Sequence, residues 1–164
     1  MFYTGIGSRK TPKNILASME GIASSLAQDG YTLRSGAAEG ADSAFEHGCD
    51  KFNGLKEIYL PWKEFNNSIS DHYYISEQAI EIASKIHPNW DSLSQGAQKL
   101  HARNCYQILG KDLKTSSLFV VCWTKGGLAV GGTRTAIILA QEYNIPVFNL
   151  ATENFSIDKI SYLI

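Results

Sequence analysis

The sequence predicts a single α/β domain over residues 1–164, built on a mostly parallel five-stranded sheet with helices on both faces. Three observations carry that reading. Short continuous apolar runs alternate with segments of helical period, the pattern of strands that crossover helices bury on both sides. Three of those runs, ending near Ile6, Ser35 and Trp123, lead straight into glycine-bearing loops. And 164 residues with 44% hydrophobic and 19% charged side chains are enough for one ordinary core, with no sign of a second.

The chain opens on a strand, Phe2-Tyr3-Thr4-Gly5-Ile6, which runs into Gly7-Ser8-Arg9-Lys10. Thr11 and Pro12 signal a helix start, the threonine as a cap for free N–H groups and the proline for its preset φ. Ile15, Met19, Ile22 and Leu26 recur at helical spacing and lay one apolar face on the sheet, and Gly30 ends the helix in left-handed geometry. The turn after the first strand is not the dinucleotide fingerprint, because the third glycine and the acidic residue closing the next strand are both absent.

Tyr31 to Ser35 reads as the second strand, and Gly36-Ala37-Ala38-Glu39-Gly40-Ala41-Asp42 as its loop of small residues, open to close approach by a ligand. Asp42 falls in the first turn of a short helix from Ala41 to Cys49, where a helix cap and a ribose or base contact are equally well supported. Lys56 to Leu60 is the third strand, stopped by Pro61. Trp62 to Tyr74 has no period but is aromatic and polar, which suits a binding loop or a surface loop with its aromatics on the core.

A helix resumes with Ile75, Ala79, Ile82, Ala83 and Ile86, whose apolar stripe serves either the sheet or a homodimer, and His87-Pro88-Asn89-Trp90 breaks it. The next helix, roughly Ser92 to Leu109, carries His101, Arg103 and Asn104. No second histidine sits at metal spacing, so His101 reads as a hydrogen-bonded structural residue and no metal site is expected.

Leu118 to Trp123 is a buried strand, closed by Thr124 and followed by the loop Lys125 to Thr133, a helix from Arg134 to Glu142 and a strand from Val147 to Leu150. In such a βαβ unit the helix starts at the carboxyl end of a strand, where its free N–H groups attract phosphate. Gly131 and Gly132 leave room for a ligand, and Thr133 caps the helix or offers its hydroxyl. Ile157 to Leu163 reads as a short amphipathic helix. With all three glycine loops at one edge, a single crevice forms where the strand order reverses, and the predicted order is 3-2-1-4-5.

A formal charge of −1 and a pI near 6.4 give no global attraction to nucleic acid. Cys49, Cys105 and Cys122 are too widely spaced for a disulfide framework or a paired metal site. Without a leader or a long apolar run, the expectation is a cytoplasmic protein with no membrane partner.

Gly7-Ser8-Arg9-Lys10, Ser35 to Asp42, Arg103-Asn104 and Gly131-Gly132-Thr133 resemble, in order, the motifs of the Rossmann-like SLOG superfamily, which includes DNA-processing protein A and the lonely-guy phosphoribohydrolases. The resemblance covers Met1 to about Leu150 and implies a ligand site of Gly7, Ser8, Arg9, Ser35, Gly36, Ala37, Arg103, Asn104, Thr124 and Gly131 to Thr133. The phosphoribohydrolases continue their glycine motif to a catalytic glutamate; here that position is Ala136, leaving Glu39 and Asp42 as candidate substitutes. DNA-processing protein A is similar at the Gly-Ser-Arg turn but has a basic residue where this chain has Glu39. Three functions therefore stand, in this order: a module that senses or sequesters a nucleotide-derived small molecule without a cofactor, an N-glycoside hydrolase of nucleoside monophosphates or NAD-type ligands, and a single-stranded DNA binder. Superfamily relatives often pair, which implies a homodimer or higher homo-oligomer.

Overall fold

The computed structural model describes residues 1–164. Its core is one five-stranded parallel sheet made of β1 (Phe2–Gly7), β2 (Thr32–Ser35), β3 (Lys56–Ile58), β4 (Val120–Trp123) and β5 (Val147–Asn149). The strand order is 3-2-1-4-5, as the glycine loops predict. β1 is central, with Thr4 beside Arg34 on one side and Val120 on the other, so the order reverses across the β1–β4 seam. The connections are α1 (Lys13–Gln28), α2 (Ala41–Asp50), α3 (Glu77–Ile86), α4 (Gln95–Leu109) and α5 (Arg134–Glu142).

Strand alternation sends side chains to two separate cores. Tyr3, Leu33, Phe119 and Val121 meet Met19, Leu26 and Phe45 from α1 and α2. Ile6, Val120 and Cys122 meet Ala79, Cys105, Ile108 and Ile137 from α3, α4 and α5. The stripe of Ile75, Ile82 and Ile86 packs, partly buried, against this second core of the same chain, the first of the two uses its spacing allowed. No helix is long and apolar enough to cross a membrane.

Local differences from the sequence reading have side-chain causes. Thr11 does not cap α1: its hydroxyl donates to the Ser8 carbonyl at 2.6 Å, and Pro12 occupies the cap position without a side-chain bond. β3 ends at Ile58 because Tyr59 and Leu60 turn to segment 70–72, where Leu60 N–H donates to His72 O at 2.8 Å. Ile157–Leu163 is a 3₁₀ rather than an α-helix.

Candidate phosphate-binding crevice

The loops that follow β1, β2 and β4 meet at the carboxyl edge of the sheet, and their backbones are short of partners. The N–H groups of Arg9, of Gly36, Ala37, Glu39 and Gly40, and of Ala129 and Val130 donate to no group of the protein. Buried N–H groups are almost always paired, so those of Gly36 and Ala37, both buried, make this edge a candidate anion site. Ala37 (φ 56) and Gly131 (φ 64) hold left-handed conformations, one half of the alternation from which backbone nests are built.

Arg103 ties the loops together from α4. It is almost wholly buried, and its Nη1 donates to Gly36 O at 2.5 Å and to Tyr59 O at 3.0 Å. Its Nε donates to Asn104 Oδ1 at 3.3 Å, while Asn104 Nδ2 donates to Gly132 O at 2.6 Å. One pair of adjacent residues therefore fixes the ends of β2, β3 and the loop before α5. Gly36 has no side chain because a Cβ there would run into the Arg103 and Gln107 side chains. Gly131 and Gly132, by contrast, face open space.

The candidate carboxylates part company. Glu39 is exposed, whereas Asp42 is buried and its Oδ2 accepts from Ala38 N–H at 3.4 Å. Burial raises the Asp42 pKa to about 6, against the opposing pull of the Arg103 charge and of the Ala38 and Gly7 N–H groups. Of the two candidate carboxylates only Asp42 is desolvated, because it lies in the first turn of α2 while Glu39 stands exposed in the loop before it. Two other predicted site residues have their hydroxyls engaged by internal bonds. The Ser35 hydroxyl donates to Gly5 O at 2.6 Å, and the Thr124 hydroxyl accepts from Asn149 Nδ2 at 2.7 Å. Thr133 is buried and makes no cap bond to α5.

His101 is structural, as its isolation in sequence suggests: Nδ1 lies 2.8 Å from Thr135 Oγ1. Burial, aided by the neighbouring His87, Arg103 and Arg134 charges, lowers its pKa to about 4. Asp42 and His101 then pull stability in opposite directions. Between its ordinary 3.8 and its native value of about 6, Asp42 binds the extra proton in the folded state, so its contribution falls as pH rises through 6. His101, ordinarily near 6.5, stays neutral in the fold until about pH 4, so its contribution falls as pH drops through that interval. Each slope is about 1.4 kcal/mol per pH unit. Urea midpoints of the wild type should therefore move little on account of this pair between pH 6 and 4. Asp42→Asn should steepen the loss of stability in acid, and His101→Gln should turn acidification into a gain. Parallel curves for all three proteins would refute the opposition.

The irregular segment after β3 forms one wall. Asn66 Nδ2 donates to Ala37 O at 3.0 Å, the Phe65 ring lies 5.7 Å from the Arg103 guanidinium, and Trp62 meets Phe65 edge-on at 5.3 Å. Arg9, Lys10, Lys63 and Lys125 are exposed in these same loops, and none is in an ion pair. Glu39, Glu64 and Asp71 are the exposed acids in the same stretches. The edge is thus locally cationic on a protein of net charge −1. The anchoring role of the Tyr59 carbonyl was invisible in sequence; the cations were visible, each within five residues of a strand end.

No protein-family model matches the chain, and no curated protein does. Among solved structures, DNA processing protein A from Helicobacter pylori, in a structure described for its single-stranded DNA binding mode, aligns over 91% of this chain with a TM-score of 0.60 and 18% identity. The chain spans 64% of the length of that structure. At this level of identity the likeness establishes the fold, and the chain shares the Rossmann-like architecture of DNA processing protein A.

Proposed function

We propose that the crevice binds a nucleotide through its phosphate and holds it without cleaving it. The carrying observation is the set of unpaired N–H groups contributed by three loops, with four free cations around them. Hydrolysis of an N-glycosidic bond calls for a carboxylate at the sugar. Ala136 stands where the phosphoribohydrolases carry theirs and is fully buried, and exposed Glu39 is on a loop tip. A polymeric ligand, single-stranded DNA, is the second reading. Trp62 and Phe65 beside Lys63 supply the aromatic and basic pairing that single strands use, and the structural neighbour is described as a single-stranded DNA binder.

Thermal shift against AMP, GMP, NAD, pyrophosphate and ribose, beside anisotropy with labelled oligo-dT, separates these. A mononucleotide at a hundred times its Kd should stabilise the protein by about 2.7 kcal/mol, with ribose silent. Gly132→Val should abolish that shift and leave the unliganded Tm unchanged, since the added side chain meets only open space that the phosphate would use. Oligo-dT binding without any mononucleotide shift would move the assignment to single-stranded DNA. Chromatography should recover every nucleotide intact; base release that disappears in Glu39→Gln would make the protein a hydrolase.

A further inference from the structure

On the face of the sheet covered by α3 and α4, outside β3, lies a cavity of about 330 Å³. Four of its ten lining residues carry rings, Tyr59, His72, Tyr74 and Tyr106, with Leu113 beside them. Tyr59 and Tyr106 are buried and stack with ring centroids 5.6 Å apart at 22°, and the His72 ring lies 5.2 Å from Tyr59. Their polar ends are already satisfied. The Tyr59 hydroxyl donates to Glu57 Oε2 at 2.6 Å, and the Tyr106 hydroxyl lies 2.8 Å from the Ser76 N–H that donates to it and 2.9 Å from Ser76 Oγ. What these residues offer an occupant is therefore ring surface, which favours another flat ring in offset or edge contact.

Charge among the lining residues is mixed: two carboxylates and one lysine. Both carboxylate oxygens of Asp112 are engaged by its own turn, accepting from Lys114 N–H, Thr115 N–H and the Thr115 hydroxyl. Asp71 faces His72 at 3.9 Å. Lys111, the one lysine among the lining residues, is exposed and has no ion pair, so its ammonium is free beside those two carboxylates. The volume falls in the range of small-molecule sites.

We propose that this cavity binds a planar aromatic small molecule carrying a carboxylate, its ring among the tyrosines and its anion at Lys111. The site is separate from the phosphate crevice and does not depend on it. Tyr59 belongs to both, lining the cavity with its ring while its carbonyl holds Arg103.

The test is ¹H–¹⁵N NMR titration of the full chain with indole-3-acetate, indole and tryptamine, which share a ring and differ in charge. Indole-3-acetate should bind saturably, with the largest shifts at the amides of Tyr59, Tyr106 and Leu113, and several-fold more tightly than indole or tryptamine. Lys111→Ala, a change on the surface, should bring its affinity down to that of indole and leave indole binding unaltered. Three results would each overturn the proposal: no saturable shift with any probe, shifts centred on Gly131 to Thr133, or tryptamine binding as tightly as indole-3-acetate.

Discussion

Arg103→Met should destabilise the protein by about 3–5 kcal/mol, the range for removing one partner from a buried charged network. The buried carbonyls of Gly36 and Tyr59 would lose their donor, and Asp42 would lose the positive charge that opposes its desolvation. For a chain of this size that corresponds to a fall in Tm of roughly 10 °C or more. Because Arg103 favours the ionised form of Asp42, its loss raises that pKa further, so the deficit should be larger at pH 8 than at pH 5. Arg103→Lys should recover only part of the loss, since a point charge cannot reproduce the planar fork. Urea denaturation at the two pH values measures both effects. A deficit under 1 kcal/mol, equal at both, would mean that the loops hold their places without the guanidinium.

Gly40→Val should cost about 3 kcal/mol and remove phosphate binding together. Gly40 sits at φ 83, ψ −118, a conformation that branched residues adopt only under strain. A Cβ there would also stand 2.8 Å from Ser8 O and 2.9 Å from the Arg9 Cα, so the loops after β1 and β2 would have to separate. Gly131→Ala is the control: its φ is positive as well, but the space beside it is empty, so only about 1 kcal/mol of backbone strain is expected. Denaturant midpoints with and without pyrophosphate give the comparison. Equal losses for the two variants would show that backbone conformation, rather than contact between the loops, sets the cost.

Sheet order was legible because parallel strands buried on both faces are spelled as apolar runs, and glycine at three strand ends placed one crevice. The same signals located α5, since Arg134 to Glu142 is bounded by a glycine loop and a polar turn. Site chemistry was less legible where it depends on partners far along the chain. Arg103 binds carbonyls 67 and 44 residues away, and a carbonyl has no sequence signature. Ser35 and Thr124 lie at the right strand ends, yet each hydroxyl is taken by a neighbouring strand or by Asn149, which local spacing does not reveal. Glu39 and Asp42 stand three residues apart; which of them is buried depends on where α2 begins, and that is set by the contact of Gly40 with the turn after β1.

The reversal of strand order also governs when the crevice comes into being. β1 pairs with β2 some thirty residues on, but its other edge waits for β4, with Thr4 meeting Val120. At 5–20 residues per second of synthesis, that edge stays unpaired for on the order of ten seconds. Throughout that time the ends of β1 and β2 can come together, while the donors of Ala129 and Val130 do not yet exist. The crevice is therefore a product of the final docking step, and a nascent chain released before β4 would carry an open β-edge at the place where the finished protein has its candidate site.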